Sequence, residues 1–124
     1  MILYLDSSAL LRLVLREAGA LDEVRSAEAL VSSELLAVEC LEEAVVRRDA
    51  VASWLEAVDL VLLQRSVLSR ASEPLPVPLG TLDALHLATA LLWREQTGKD
   101  LVMATHDASL ALAARAFGME TLGA

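Results

Sequence analysis

Four short runs of uninterrupted apolar residues punctuate the chain, at Ile2–Leu5, Ala29–Val31, Leu60–Leu63 and Leu101–Ala104, with a weaker candidate at Glu120–Leu122 near the end. The four runs do not alternate apolar with polar, which predicts strands covered on both faces. Between them lie longer segments whose apolar residues recur at helical spacing. Over Ser7–Glu17 these are Leu10, Leu11, Val14 and Leu15, with Gly19 placed to end the helix. Over Ser33–Arg48 they are Leu35, Val38, Leu41 and Val45, with Glu34, Glu42, Glu43 and Arg47 on wetter faces. Asp49–Val58 and Arg65–Ser72 predict shorter helices. Thr81–Gln96 predicts a long Ala/Leu-rich one stopped near Gly98, and Asp107–Phe117 a last one ending at Gly118. Strands alternating with helices imply right-handed crossovers and a mostly parallel sheet, hence an α/β fold arranged as a three-layer α/β/α sandwich. Pro74, Pro76 and Pro78 mark a loop too short to separate two units, so residues 1–124 read as a single domain.

Composition narrows the functional classes. Of 124 residues, 56% are hydrophobic and only five are Gly and three Pro, which excludes disordered and collagen-like chains. Aromatics are Tyr4, Trp54, Trp93 and Phe117 alone, too few for a platform that stacks single-stranded bases. The lone Cys40 rules out an internal disulfide framework and a thiolate metal site. No apolar run reaches the ~18 residues of a membrane span, and Asp6 falls where a signal peptide would be apolar; the expectation is a cytoplasmic protein without a membrane partner. Eighteen acids against ten bases leave a net charge of −8, so a protein that coats nucleic acid nonspecifically is excluded.

In open parallel sheets the ligand crevice lies beyond the carboxyl ends of the strands. Asp6 follows the first run and Asp107 lies just beyond the fourth, so both belong to that rim. Each also admits a plainer reading, as a cap on the helix that follows. Asp83 sits in the first turn of the long helix among Leu82, Ala84, Leu85 and Leu87, where complementing the helix dipole is the competing explanation. Glu39, between Val38 and Cys40, is the acid chosen from its helix over Glu34, Glu42 and Glu43, which read as solvated charges. Two carboxylates ~4 Å apart repel by about 4 kcal/mol at an effective dielectric of about 20, so four converging acids require protonation or a cation. An all-oxygen set without clustered His or Cys suits Mg²⁺ or Mn²⁺, and such a site supports phosphodiester hydrolysis. His86, three residues after Asp83, and His106, beside Asp107, read as a hydrogen-bonded packing residue and an exposed loop residue. Cys40 reads as a small buried hydrophobe.

The same residues fall in a familiar order. Tyr4–Leu10 (Tyr-Leu-Asp-Ser-Ser-Ala-Leu), Ser32–Leu41 (Ser-Ser-Glu-Leu-Leu-Ala-Val-Glu-Cys-Leu), Gly80–Ala90 (Gly-Thr-Leu-Asp-Ala-Leu-His-Leu-Ala-Thr-Ala) and Ala104–Leu110 (Ala-Thr-His-Asp-Ala-Ser-Leu) span nearly the whole chain. Together they resemble the four motifs of PIN-domain ribonucleases, especially the VapC-type toxins of toxin–antitoxin pairs. The resemblance implies a five-stranded parallel sheet and Mg²⁺- or Mn²⁺-dependent cleavage of RNA. Asp6, Glu39, Asp83 and Asp107 would be the catalytic metal ligands, holding one or two ions, with Ser8 and Thr105 as supporting or substrate-contacting hydroxyls. It further implies a homodimer and a cognate antitoxin. One departure is that many relatives carry an Arg soon after the second acid, where this chain has Glu42 and Glu43, with Arg47 and Arg48 a turn later. RNA specificity would lie in loops around Arg12, Arg16 and Pro74–Pro78. The competing classes are a catalytically inactive PIN-like binding module and an acid-rich phosphatase. A phosphatase of the haloacid-dehalogenase kind would want Asp at Ser8, and a receiver domain would want a crevice Lys, whereas Lys99 is the only one.

Overall fold

A computed structural model describes residues 1–124. Five strands, β1 (Ile2–Leu5), β2 (Ala29–Ser33), β3 (Val58–Val61), β4 (Val102–Ala104) and β5 (Glu120–Leu122), form one all-parallel sheet in the order β3-β2-β1-β4-β5. Seven α-helices connect and cover them: α1 (Ser7–Val14), α2 (Glu23–Ser26), α3 (Leu35–Glu43), α4 (Arg48–Glu56), α5 (Arg65–Ala71), α6 (Thr81–Thr97) and α7 (Ala108–Ala116). Period-two alternation sorts β1 between the two faces. Leu3 and Leu5 pack with Leu10, Leu36, Cys40 and Val51 of α1, α3 and α4, while Tyr4 packs with Leu87, Leu91 and Leu110 of α6 and α7. The α/β/α sandwich and the parallel five-stranded sheet expected from the sequence are therefore both present. No helix is long and apolar enough to cross a membrane.

Four local expectations need correction. The helix expected over Ser33–Arg48 breaks at Ala44 (φ −103, ψ 50) into α3 and a 3₁₀ turn, Val45–Arg47, before α4 begins. Its buried side is also different: Leu36, Cys40 and Ala44 meet the core, whereas Val38 and Val45 are 64% and 63% exposed. Small side chains at Cys40 and Ala44 let α3 approach α1 and the sheet closely, and packing overrides the apolar stripe. Strand β3 runs two residues earlier than its apolar run because its pairing with β2 aligns Leu30 with Val58 and Ser33 with Val61. As an edge strand it tolerates the exposed Asp59. Helix α1 ends at Val14, well before Gly19, and Arg16 turns the chain with a positive φ of 57. The four-residue α2 has no counterpart in the sequence pattern.

The strand order decides where chemistry can sit. From β1 the chain steps outward through β2 and β3, then crosses to β4 on the other side of β1. The order thus reverses between β1 and β4, the place where open parallel sheets form their ligand crevice. The register pairs Leu5 with Ala104, and the Asp6 amide donates to the Ala104 carbonyl at 3.1 Å, which brings the Asp6 and Thr105–Asp107 segments together.

Candidate active site

Asp6 occupies the N-cap position of α1 with extended backbone, yet its side chain makes no capping hydrogen bond. Its Oδ2 instead accepts from the Ser8 hydroxyl at 2.7 Å and the Thr105 hydroxyl at 2.8 Å. Both hydroxyls are themselves placed by backbone amides: His106 N–H donates to Ser8 Oγ and Asp107 N–H donates to Thr105 Oγ1. Each hydroxyl proton is thereby directed to the carboxylate, which is only 3% exposed. The capping explanation does not account for Asp6. It does describe Asp107, whose Oδ1 accepts from the Leu110 amide at 2.8 Å and caps α7.

Glu39 reaches the same end of the sheet from α3. Its Oε1 lies 2.6 Å from His86 Nε2, and its Oε2 accepts from the Ser7 hydroxyl at 3.3 Å. His86, fully buried on α6, has Nδ1 2.7 Å from the Tyr4 hydroxyl, and Nε2 also lies 3.9 Å from Asp6 Oδ1. Burial pushes the Tyr4 phenol well above its ordinary range, so it stays protonated. His86 is thus the buried, hydrogen-bonded residue that the sequence suggested, with Tyr4 and Glu39 as its partners. The signal that points to it is spacing: Tyr4 and Asp6 share one side of β1, and His86 follows Asp83 by three residues on one helix face.

Asp83, half-buried in the first turn of α6, has no hydrogen bond fixing its carboxylate. Burial first, then the charges of Asp6 and Asp107, push its carboxyl up to about 6; Glu39 adds to this and His86 opposes it. Asp6, Asp107 and Glu39 therefore all act on Asp83 across the rim, and no Lys or Arg is ion-paired with any of the four. As the side chains stand, however, no three of them close on one ion position. An open groove of about 370 Å³ borders Asp107, lined also by Ser8, Arg12, Glu17, Glu43 and His106 among others. His106 Nε2 is buried there without a partner, and desolvation followed by the Arg12 charge lowers its pKa. Arg48 donates to the Leu41 carbonyl.

A five-stranded parallel sheet in this order, with helices on both faces and the Asp6 and Asp107 segments side by side at the β1/β4 crevice, is a PIN-like fold. No family model matches the chain. It is similar to Ribonuclease VapC46 of Mycobacterium tuberculosis (strain ATCC 25618 / H37Rv), with 37% identity over 128 aligned residues that cover 97% of this chain and 95% of that one. The chain belongs to the VapC family of PIN-domain proteins.

Proposed function

We propose that this protein is a divalent-metal-dependent endoribonuclease acting in the cytoplasm as the toxin of a toxin–antitoxin pair. The observation that carries the reading is that Asp6, Asp107 and Glu39 all act on Asp83, with no Lys or Arg ion-paired with any of the four. The similarity to a protein named as a ribonuclease supports the same reading. The donors fit Mg²⁺ or Mn²⁺, since all are carboxylate oxygens, and His86 Nε2, 3.9 Å from Asp6 Oδ1, is engaged by Glu39. Asp6, Glu39, Asp83 and Asp107 would hold one or two such ions. When bound, the cation supplies charge neutralisation at the phosphate and a lowered pKa for the attacking water.

The chain's own groups do the rest. Ser8 and Thr105 occupy Asp6 Oδ2 and fix its carboxylate plane, leaving Oδ1 without a hydroxyl partner. Capping of α7 takes Asp107 Oδ1 and leaves Oδ2 for the crevice. Asp83, with no hydrogen bond to break, can swing toward a cation. The groove beside Ser8 and Asp107 gives the RNA strand a path past the acids, with Arg12 as its cationic contact. A net charge of −8 suits an antitoxin with a basic segment, and the exposed Val38, Val45 and Val46 offer apolar surface to the antitoxin or a second copy of the chain.

The test is cleavage of RNA by the purified chain, free of any inhibitor, with Mg²⁺ or Mn²⁺ and with both removed by chelation. Metal-dependent cleavage lost in Asp6→Asn is the expected result. No cleavage with either metal, or an undiminished rate in Asp6→Asn, overturns the reading. A second reading, a catalytically inactive PIN-like binding module, is favoured by the spread of the acids, no three of which close on one ion position. Calorimetry separates the two: the inactive module binds a basic partner but neither Mg²⁺ nor Mn²⁺.

A further inference from the structure

We infer that His86, backed by Tyr4, is a positioning residue that fixes the Glu39 carboxylate for a divalent cation. This rests on the metal-site reading above. Three elements contribute one group each: Tyr4 from the centre of β1, His86 from α6 and Glu39 from α3. The contacts run in series at 2.7 Å and 2.6 Å. Tyr4 and His86 are both fully buried, whereas the Glu39 side chain is 17% exposed. The series therefore leads from the core to the rim.

The chemistry of the contacts sets the direction of influence. A carboxylate can only accept, so the 2.6 Å contact requires a proton on Nε2 whether the imidazole is neutral or charged. The Tyr4 hydroxyl on Nδ1 anchors the opposite edge of the ring, and the edge-on packing of the two rings, at an interplanar angle of 78°, holds the imidazole plane. A glutamate has three rotatable bonds, and the only other hydrogen bond to this one is the longer 3.3 Å contact from Ser7. Without His86 the carboxylate is left on that single contact. Groups that hydrogen-bond a metal-binding carboxylate from behind orient it and maintain affinity, and their loss typically weakens binding about 10–100-fold. A buried histidine that served packing alone could have spent Nε2 on a carbonyl, as Thr89 on the same helix spends its hydroxyl on Leu85.

The experiment measures Mn²⁺ binding by calorimetry, with thermal melting beside it, in the full chain and in Glu39→Gln, His86→Leu, His86→Gln and the double variant His86→Leu/Glu39→Gln. His86→Leu should bind Mn²⁺ about 10–100-fold more weakly. His86→Gln, which keeps an N–H for Glu39, should recover part of the loss. The double variant should be no weaker than Glu39→Gln alone, because His86 acts through Glu39; a merely structural role would give additive losses. Should His86→Leu fail to fold with the Tyr4 hydroxyl left unpaired, Tyr4→Phe/His86→Leu removes both polar groups and carries the same expectation. Wild-type affinity in a folded His86→Leu or Tyr4→Phe/His86→Leu, with Glu39→Gln impaired, overturns the positioning role alone. Wild-type affinity in Glu39→Gln overturns the metal reading and the positioning role together.

Discussion

Asp6 and Asp107 reach the rim from the ends of β1 and β4, Glu39 and Asp83 from the flanks of α3 and α6, and the two pairs are held by different means. The strand-borne side is locked. The register of β1 and β4 sets its backbone, two hydroxyls bind Asp6 Oδ2, and each hydroxyl is in turn bound by an amide. The helix-borne side is divided: Glu39 is held by Ser7 of α1 and His86 of α6, and Asp83 alone has no hydrogen bond and is free to adjust. A site closing around a cation would benefit from such asymmetry, because fixed acids set the position while one mobile acid relaxes the repulsion. It also explains how three acids act on Asp83 while no three of the four lie on one ion position.

The sharpest way to break the comparison is at its locked end. Asp6→Asn should lower metal-dependent RNA cleavage by about 10²–10³-fold, the range for losing one group aimed at developing charge. Steady-state cleavage of a defined RNA measures it, and a loss smaller than that of Asp83→Asn would reverse the assignment of Asp6 as fixed and Asp83 as mobile. Thr105→Val comes next. It removes the donor to Asp6 and the acceptor for the Asp107 amide, so cleavage should fall about 10–100-fold. Loss of a buried hydrogen bond to a carboxylate should also cost about 1.5–3 kcal/mol in a urea melt; unchanged stability would mean Asp6 is not locked.

On the mobile side the effect is smaller and has a sign. Asp83's carboxyl is raised from 3.8 to about 6 in the fold, chiefly by burial and then by Asp6 and Asp107. It therefore keeps its proton where the unfolded chain has lost it. Its contribution to stability is complete below the unfolded value and declines as pH climbs through the folded one. Asp83→Asn should accordingly be more stable than the parent at neutral pH in the absence of divalent cations, with the difference vanishing toward about pH 4. Paired melts across this range measure it; a difference that grows as pH falls would contradict the repulsive rim. The smallest effect is at Cys40, beside Glu39. Burial, then the Glu39 and Asp6 charges, push its thiol up to about 12. Native protein should resist iodoacetamide at neutral pH and react fully once unfolded. Rapid labelling of the native form would show that the seam between α1 and α3 opens.

The same division separates what could be read from the chain and what could not. The ends of β1 and β4 follow from uninterrupted apolar runs, a local signal, so Asp6 and Asp107 could be placed at the rim directly. Glu39 required knowing how α3 is rotated, and there the apolar stripe misleads: Val38 and Val45 face outward while Leu36, Cys40 and Ala44 face the core. His86 was legible only as a residue on the Asp83 side of α6. Its bond to Glu39 spans 47 residues and its bond to Tyr4 spans 82.

By itself the sequence determined the alternation of strands and helices, the two-faced burial of the sheet and the positions of acids next to strand ends. All of these depend on periodicity and on neighbours close along the chain. Only the tertiary structure decided that Asp6 gives up capping for the hydroxyls of Ser8 and Thr105, which way α3 turns, and that Tyr4 and His86 stand behind Glu39. Those outcomes are settled by which distant groups can satisfy a buried polar atom at lowest cost, a competition that exists only once the sheet has brought its strands together.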